Sequence, residues 1–389
     1  MGISGFKQVI RVACVCFGVL AANHSVFAAI VEGLYEAEVP VVSQSNDEHN
    51  RAMSEALAEV IVKVSGDAKA PSLEGVAAAM QKSSQYVQQF RYGRIPSNYF
   101  GKIDSSATRL AWFRFDENAV NRLLHDNGLP VWGRTRPTTL AWIAIEQDGA
   151  RFILGGDAND DLKAMLQFNA KRRGLALLLP LMDLEDQRKL TFADLWGEFQ
   201  TTILAASARY QADAVLVGKL FLTPSDDWQV TWSLFENGRH LRWQGQYPQI
   251  GDAMKIGVAG SLEILAKRYA QVYAENQPSE MVLSVDGVSN LEDFARLTDY
   301  LKSLEQVKGV NATRINQHSV DVHLDLRGNP EGLRQTIGLG NVLAVAQVHT
   351  IPQETQAIDL VGSANPDEGL GSNPVNEAVG AEFHYTLLP

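Results

Sequence analysis

The first regular pattern along the chain is an alternating run followed by a helical one. Residues 35–42 alternate apolar and polar positions as a half-buried strand does. Ser45 and Glu48 then form a capping box, which predicts a helix start. Gly66 supplies the left-handed residue at which such a helix ends. Between them an apolar face recurs at three- and four-residue spacing through Met53, Ala56, Leu57, Val60 and Val64.

Weaker patterns complete a first α/β module. They predict a second helix over 72–90, a strand over 109–115 and a short helix over 117–125. Glycine and proline then interrupt every regular pattern between residues 127 and 137. We therefore expect the first module to span residues 29–137.

The next region, residues 138–275, predicts a mixed sheet covered by helices. Asn237-Gly238 between two alternating runs is the strongest short-range indication of a hairpin. Two apolar runs joined through a helix predict neighbouring buried strands. The predicted strands are 139–146, 151–154, 175–181, 212–221, 228–235 and 239–247, and the predicted helices begin near 157, 195 and 252.

A third module is expected over residues 280–350, after a linker at Asn276–Ser279. Its elements follow the order β-α-β-β-α-β, which predicts a ferredoxin-like unit. The tail, residues 351–389, is rich in Gly, Asn, Ser, Pro and Glu without periodicity, and we expect most of it to be disordered. Its last residues, Phe383–Pro389, are apolar enough to dock on the protein or to bind a partner, and the sequence leaves that choice open.

The first 28 residues predict a secretory signal peptide. Lys7 and Arg11 precede an apolar run, and small residues suit peptidase cleavage after Ala28. The alternative is a retained anchor, but the run is shorter than the ~20 residues of a membrane span. We therefore expect a periplasmic protein that does not stay inserted in a membrane. Both cysteines, Cys14 and Cys16, lie in the signal, so the mature chain contains neither a disulfide nor a thiol nucleophile.

The net charge of the chain limits the classes of molecule that it is expected to bind. The chain has a formal net charge of −11, which repels nucleic acid and anionic membrane surfaces. Envelope proteins are the partners that we expect.

Motif inspection finds no catalytic, cofactor or metal site. Asp321, His323 and Asp325 alternate along one strand, but side chains at alternate positions of a strand diverge, and a further ligand is not evident. A solvated strand face is the simpler interpretation. A hydrolase with an unrecognised carboxylate pair stays open, because spacing alone does not reveal such a pair.

The candidate ligand or partner face consists of three tryptophans on the predicted hairpin. Trp228 and Trp232 share one side of a strand, and Trp243 lies on the next strand. If that side is open, the rings form a platform for sugars or a partner. If a helix covers it, the rings belong to the core, which is the interpretation we favour.

Three stretches resemble a known family. LYEAEVPV (34–41), SEALAEVIVKVSG (54–66) and ADAVLVGKL (212–220) resemble an exported gammaproteobacterial family catalogued as a domain of unknown function, DUF2066. The resemblance implies an exported envelope protein and supplies no catalytic residues. The middle module also resembles the small α/β domains of periplasmic accessory proteins, such as the amino-terminal domain of the Tol-Pal propeller protein and lipoprotein activators of cell-wall synthases.

The resulting hypothesis is a non-enzymatic adaptor or assembly factor of the cell envelope, because modules in series combine weak contacts through effective concentration. The alternatives are a binding module for glycan or peptidoglycan fragments that uses the tryptophans, and the hydrolase.

Overall fold

The computed structural model describes residues 29–97, 99–100, 106–157, 159–270, 278–340, 342–346 and 382–388. Within them the chain forms mixed α/β modules in series with three separate main sheets, which confirms the predicted fold class. The predicted signal peptide, most of the linker and tail residues 351–381 lie outside the described residues. Among the helices that the structure describes, none combines the length and the hydrophobicity of a transmembrane span.

The first module is a three-stranded antiparallel sheet with a long helix on one face. β4 is the central strand, with β2 on one side and β3 on the other, and α1 packs its apolar face against them. β1 and β5 form a separate two-stranded ladder. The elements are β1 (Ala29–Ile30), β2 (Glu36–Val41), α1 (Asn46–Ser65), α2 (Glu74–Met80), β3 (Val87–Gly93), β4 (Arg109–Phe115), α3 (Glu117–Asp126) and β5 (Thr135–Arg136).

The ends of α1 are those that the sequence predicts. The Ser45 hydroxyl accepts the backbone N–H of Glu48, and the Glu48 carboxylate accepts the N–H of Val42 at 3.0 Å. Gly66 has a φ of 71°, and its N–H donates to the carbonyl of Val62. The helix is therefore fixed at both ends by local chemistry.

The predicted second helix, residues 72–90, is wrong in its second half. α2 ends at Met80, and the chain is a strand from Val87 onward. Val87, Phe90 and Tyr92 are β-branched or aromatic, and such side chains pack well on a pleated surface. Pairing with β4 therefore overrides the apparent helical spacing.

The middle module has helices on both faces of its sheet. The strand order is β11-β10-β9-β6-β7, with β8 also beside β6, and β6 and β9 are parallel. One core lies under α4 and α8, the other under α5, α6 and α7. The elements are β6 (Thr139–Gln147), β7 (Ala150–Ile153), α4 (Asp160–Arg173), β8 (Leu177–Leu178), α5 (Leu184–Lys189), α6 (Phe192–Trp196), α7 (Gln200–Ser207), β9 (Ala214–Leu222), β10 (Trp228–Glu236), β11 (Arg239–Tyr247) and α8 (Ile250–Tyr269).

Two sequence predictions in this module have opposite outcomes. The hairpin is confirmed, since Asn237 and Gly238 both have positive φ, at 46° and 74°, between β10 and β11. The buried strand predicted over 175–181 is wrong, because only β8 forms and Leu181 is 61% exposed. Pro180 has no N–H with which to extend the ladder.

The third module has the predicted β-α-β-β-α-β order and one further strand. Its sheet runs β13-β14-β12-β16-β15, so the last strand of the chain lies between the first and fourth strands of the ferredoxin-like unit. β16 is parallel to β12 and antiparallel to β15. The elements are β12 (Pro278–Asp286), α9 (Leu291–Ser303), β13 (Val307–Ile315), β14 (Ser319–Arg327), α10 (Pro330–Leu339), β15 (Leu343–Val345) and β16 (Glu382–Leu387).

The end of the chain therefore docks within its own module. Tyr385 and Leu387 are 2% and 6% exposed in the third core. Those apolar side chains are not available to a partner, and the sheet extends beyond the boundary expected at residue 350.

Buried polar groups join the modules. Arg136 is 1% exposed and donates to the carbonyl oxygens of Lys63 and Gly174, each at 2.8 Å, which connects the ends of α1 and α4. Asn121 of α3 donates to the carboxylate of Glu305, between α9 and β13, at 2.7 Å. α10 packs against β5 and α8, so the third module docks through this helix.

Candidate functional site

The predicted tryptophan face is not a binding platform. Trp228 and Trp232 are 6% and 0% exposed in the core under α8. The ring of Trp232 lies between Gly218 and Gly257, where an added Cβ would come closer than 3.0 Å to the ring. Trp243 is half-buried and packs against Gly260 of α8. Because the rings of Trp228 and Trp232 fill the space beneath α8, they cannot stack on a sugar, and the glycan hypothesis loses most of its support.

The alternating residues on β14 have different surroundings. Asp321 is 9% exposed; its carboxylate accepts the Ser284 hydroxyl at 2.8 Å and faces Arg314 at 3.5 Å. His323 instead faces Glu280 of the neighbouring strand, with 3.3 Å between its Nε2 and the carboxylate. The sequence could not show Glu280 as a neighbour, because only the register of β12 on β14 brings it there.

The most accessible strand edge in the first module is β3. Within the described residues β3 pairs with β4 alone, so its other edge has no strand beside it. Gln88 to Arg91 are exposed in succession, and the register shifts between Val87 and Gln89. Free N–H and C=O groups along such an edge are a template for another extended segment.

An aromatic cluster supports this edge from the side of α1. The Phe90 ring is 51% exposed and meets His49 edge-on, with 4.7 Å between ring centroids. His49 Nδ1 lies 2.7 Å from the hydroxyl of Tyr92, and Phe113 packs beneath. The cluster holds an exposed apolar ring in a defined position beside the strand.

The same edge is basic. Arg91 stacks on the Trp112 ring, with 4.2 Å to its centroid. Arg94 follows β3 and Arg109 begins β4, so the ladder register places them at the same end of the sheet. Both are exposed, and neither has an ion-pair partner in the part of the chain that the structure describes. These arginines therefore form a local patch of positive charge on a protein whose net charge is negative.

A cavity of about 250 Å³ lies between α1 and α4. Both acidic residues in its lining are engaged, Glu55 by Arg51 and Glu59 by Arg172. Nearby, the Lys63 ammonium donates to the carbonyl of Glu36 at 2.6 Å, and burial lowers its pKa to about 8. These contacts indicate a joint between modules.

Two carboxyl groups have the raised pKa that a general acid requires. Burial raises the pKa of Asp213 and of Glu305, with nearby Glu236 and Glu117 adding to the effect. Asp213 accepts the backbone N–H of Thr138, and Glu305 accepts Asn121. Neither lines the cavity between α1 and α4. Both act as hydrogen-bond acceptors between elements, which does not favour the hydrolase.

Comparison with known proteins adds a family likeness for the first module. Residues 28–133 match the model of a domain of unknown function, DUF8605, which covers less than half of the chain. This match is consistent with a family of uncharacterised domains and does not confirm DUF2066. No curated protein matches the chain.

A solved structure described as the crystal structure of an uncharacterized protein is similar over 34% of this chain and 90% of that one. It has 11% identity and a TM-score of 0.17, and so weak a likeness carries no argument.

Proposed function

We propose that the chain is a non-enzymatic adaptor or assembly factor of the bacterial cell envelope, which acts in the periplasm by binding other proteins. The free edge of β3 pairs with an extended, acidic segment of a partner. One observation carries this proposal: Arg94 lies at the end of the open edge with Arg109 of β4 beside it, and both lack acidic partners among the described residues, although the chain has a net charge of −11.

Strand addition explains why each feature is present. The main-chain groups of β3 supply hydrogen bonds to any extended chain, and side chains beside the edge select among them. Arg94 and Arg109 attract carboxylates and raise the rate of encounter. Phe90 offers the apolar anchor that most interfaces require near their centre.

Export is supported by the sequence of residues 1–28 and by the resemblance to exported proteins. Fusing these residues to a phosphatase that is active only after export tests this part. We expect phosphatase activity from the fusion and none when Lys7 and Arg11 are replaced by glutamate. An inactive parent fusion would contradict export.

Site-specific photocrosslinking tests the edge. A photoreactive phenylalanine analogue replaces Phe90 in the full chain, and cells are irradiated before purification. We expect a discrete crosslinked protein, and we expect the double variant Arg94→Glu, Arg109→Glu to abolish it. The double variant Arg188→Glu, Arg239→Glu makes the same charge change at exposed positions of the middle module, so it is the matched control and should leave the crosslink unchanged.

The two readouts separate specific docking from accidental proximity. A crosslink that survives the double reversal contradicts recognition by charge. Absence of any crosslink at position 90, while the same analogue at another exposed position reports neighbours, contradicts use of this edge.

A further inference from the structure

Two neighbouring strands of the third module bring three metal-binding side chains together. Glu280 of β12 lies directly opposite Asp325 of β14. His323 precedes Asp325 by two residues and lies on the same face of the sheet. His323 Nε2 and the Glu280 carboxylate are 3.3 Å apart. One ligand atom from each of the three residues lies within 4.8 Å of the others.

The pairing of β12 with β14 supplies a ligand that the spacing along one strand does not show. Alternate residues on one strand diverge, but a residue directly across the ladder has its Cβ ~5 Å away, within reach of the same ion. An ion held ~2.1 Å from each ligand atom needs those atoms ~3–3.5 Å apart. Rotation of the side chains supplies that contraction, because Glu280 is exposed and His323 is partly exposed.

A glycine on the third strand makes room for one ligand. Gly309 of β13 lies opposite Asp325, and a Cβ at this position would come closer than 3.0 Å to the Asp325 carboxylate. The register of β13 on β14 also shifts between Val307 and Gly309. The aspartate side chain can therefore lie over the neighbouring strand, where a larger residue would displace it.

The surrounding charges favour a cation. The three side chains carry two negative charges against at most one positive charge on the imidazole. The nearest further acid on β14, Asp321, is paired with Arg314, so this pair leaves the charge balance at the three side chains unchanged. Imidazole with carboxylates is a donor set that suits first-row divalent ions such as Zn²⁺, with positions left for water.

We propose that Glu280, His323 and Asp325 form a binding site for a divalent transition-metal ion, of which Zn²⁺ is the probe of choice. The ion bridges β12 and β14, two inner strands of the sheet, so binding stabilises the third module by mass action. The site is on the face of the sheet opposite α9 and α10, which pack on the buried face with Val322 and Leu324. This inference is independent of the proposed adaptor function.

Titration of the chain from residue 29 onward with Zn²⁺ alone, followed by calorimetry, tests the site. We expect one saturable ion per chain, with affinity reduced on the order of tenfold or more in His323→Ala and in Asp325→Asn. His384→Ala is the matched control: it removes an exposed histidine of β16 that lies opposite Ser284, ~13 Å along β12 from Glu280. That variant should bind as the parent does.

A second readout identifies the ligand atoms. Co²⁺ in place of Zn²⁺ gives visible absorption bands that depend on its ligands, and these should change in His323→Ala and persist in His384→Ala. Circular dichroism confirms that each variant is folded. Equal Zn²⁺ affinity in both histidine variants, or no saturable binding by the parent chain, would overturn the proposal.

Discussion

The place of β16 inside the third sheet makes a quantitative prediction about a single leucine. Leu387 is 6% exposed and lies opposite Leu343 of β15, so replacing it with alanine leaves a cavity in the third core. A buried leucine-to-alanine change costs roughly 2–5 kcal/mol. Because domains are stable by only about 5–15 kcal/mol, Leu387→Ala should open the third module measurably.

The assay must report on the third module alone, and the distribution of tryptophan makes fluorescence unsuitable for that purpose. All seven tryptophans precede residue 244, in the first and middle modules, so none of them lies in the third module, which contains β16. Hydrogen exchange of β12 peptides in the parent and in Leu387→Ala measures the third module instead. We expect exchange faster by a factor of about 30 or more, which corresponds to 2 kcal/mol.

His384→Ala supplies the control, since it alters the same strand on its exposed face and should change stability by less than about 0.5 kcal/mol. If Leu387→Ala and His384→Ala exchange alike, β16 contributes nothing to this core, contrary to the prediction. Truncation before residue 382 should have a larger effect than either change, since it also removes Tyr385 and leaves the edge of β12 that pairs with β16 without a partner strand.

Three further predictions concern packing and titration. Gly257→Ala should destabilise the middle module by about 1–3 kcal/mol in urea unfolding, because its Cβ would overlap the ring of Trp232. Arg136→Met should lower the free energy of unfolding by about 3 kcal/mol or more, because it leaves several buried carbonyls without a donor. It should also release the contact between α1 and α4. Tryptophan fluorescence during urea unfolding measures this loss of stability. Burial raises the pKa of Glu305 above its unfolded value, so its contribution to stability is fully present below about pH 4.3 and is lost as the pH rises through the folded pKa. Glu305→Gln, which keeps an acceptor for Asn121, should therefore flatten the dependence of unfolding free energy on pH between 8 and about 4.5.

Local chemistry made much of the fold predictable. Ser45 and Gly66 bound α1, and Asn237 with Gly238 sets the hairpin, because each of these residues acts on its own neighbours in the chain. The order of elements in the third module was predictable for the same reason.

The features that could not be predicted depend on pairing between residues far apart in the sequence. Nothing near Tyr385 in sequence indicates that a strand from the end of the chain enters the sheet between β12 and β15. β3 was predicted as a helix because its spacing is ambiguous until β4 is beside it. Trp228 and Trp232 lie in the core under α8, where their shared side of the strand allows them to pack together. The proximity of Glu280 and His323 depends on a strand register that spacing cannot reveal.

Arg94, at the end of β3, and Arg109, beside it on β4, have a second physical effect that must be separated from partner binding. Charges at a free strand edge also prevent two copies of a sheet from pairing edge to edge, and a register shift such as the one at Gln89 assists in this. Both effects follow from the same exposed backbone. They differ in their dependence on the sign of the charge.

Two double variants distinguish these effects. Replacing Arg94 and Arg109 with serine removes the charge, whereas replacing them with glutamate reverses it. If the arginines only protect the edge, the serine variant self-associates in analytical ultracentrifugation, and both variants keep the crosslink from position 90. If they also recognise acidic segments, both variants lose that crosslink, while the glutamate variant stays monomeric because two like-charged edges repel. We expect the second pattern, because protection requires charge of either sign and this edge, in a chain with an excess of acids, has only positive charge.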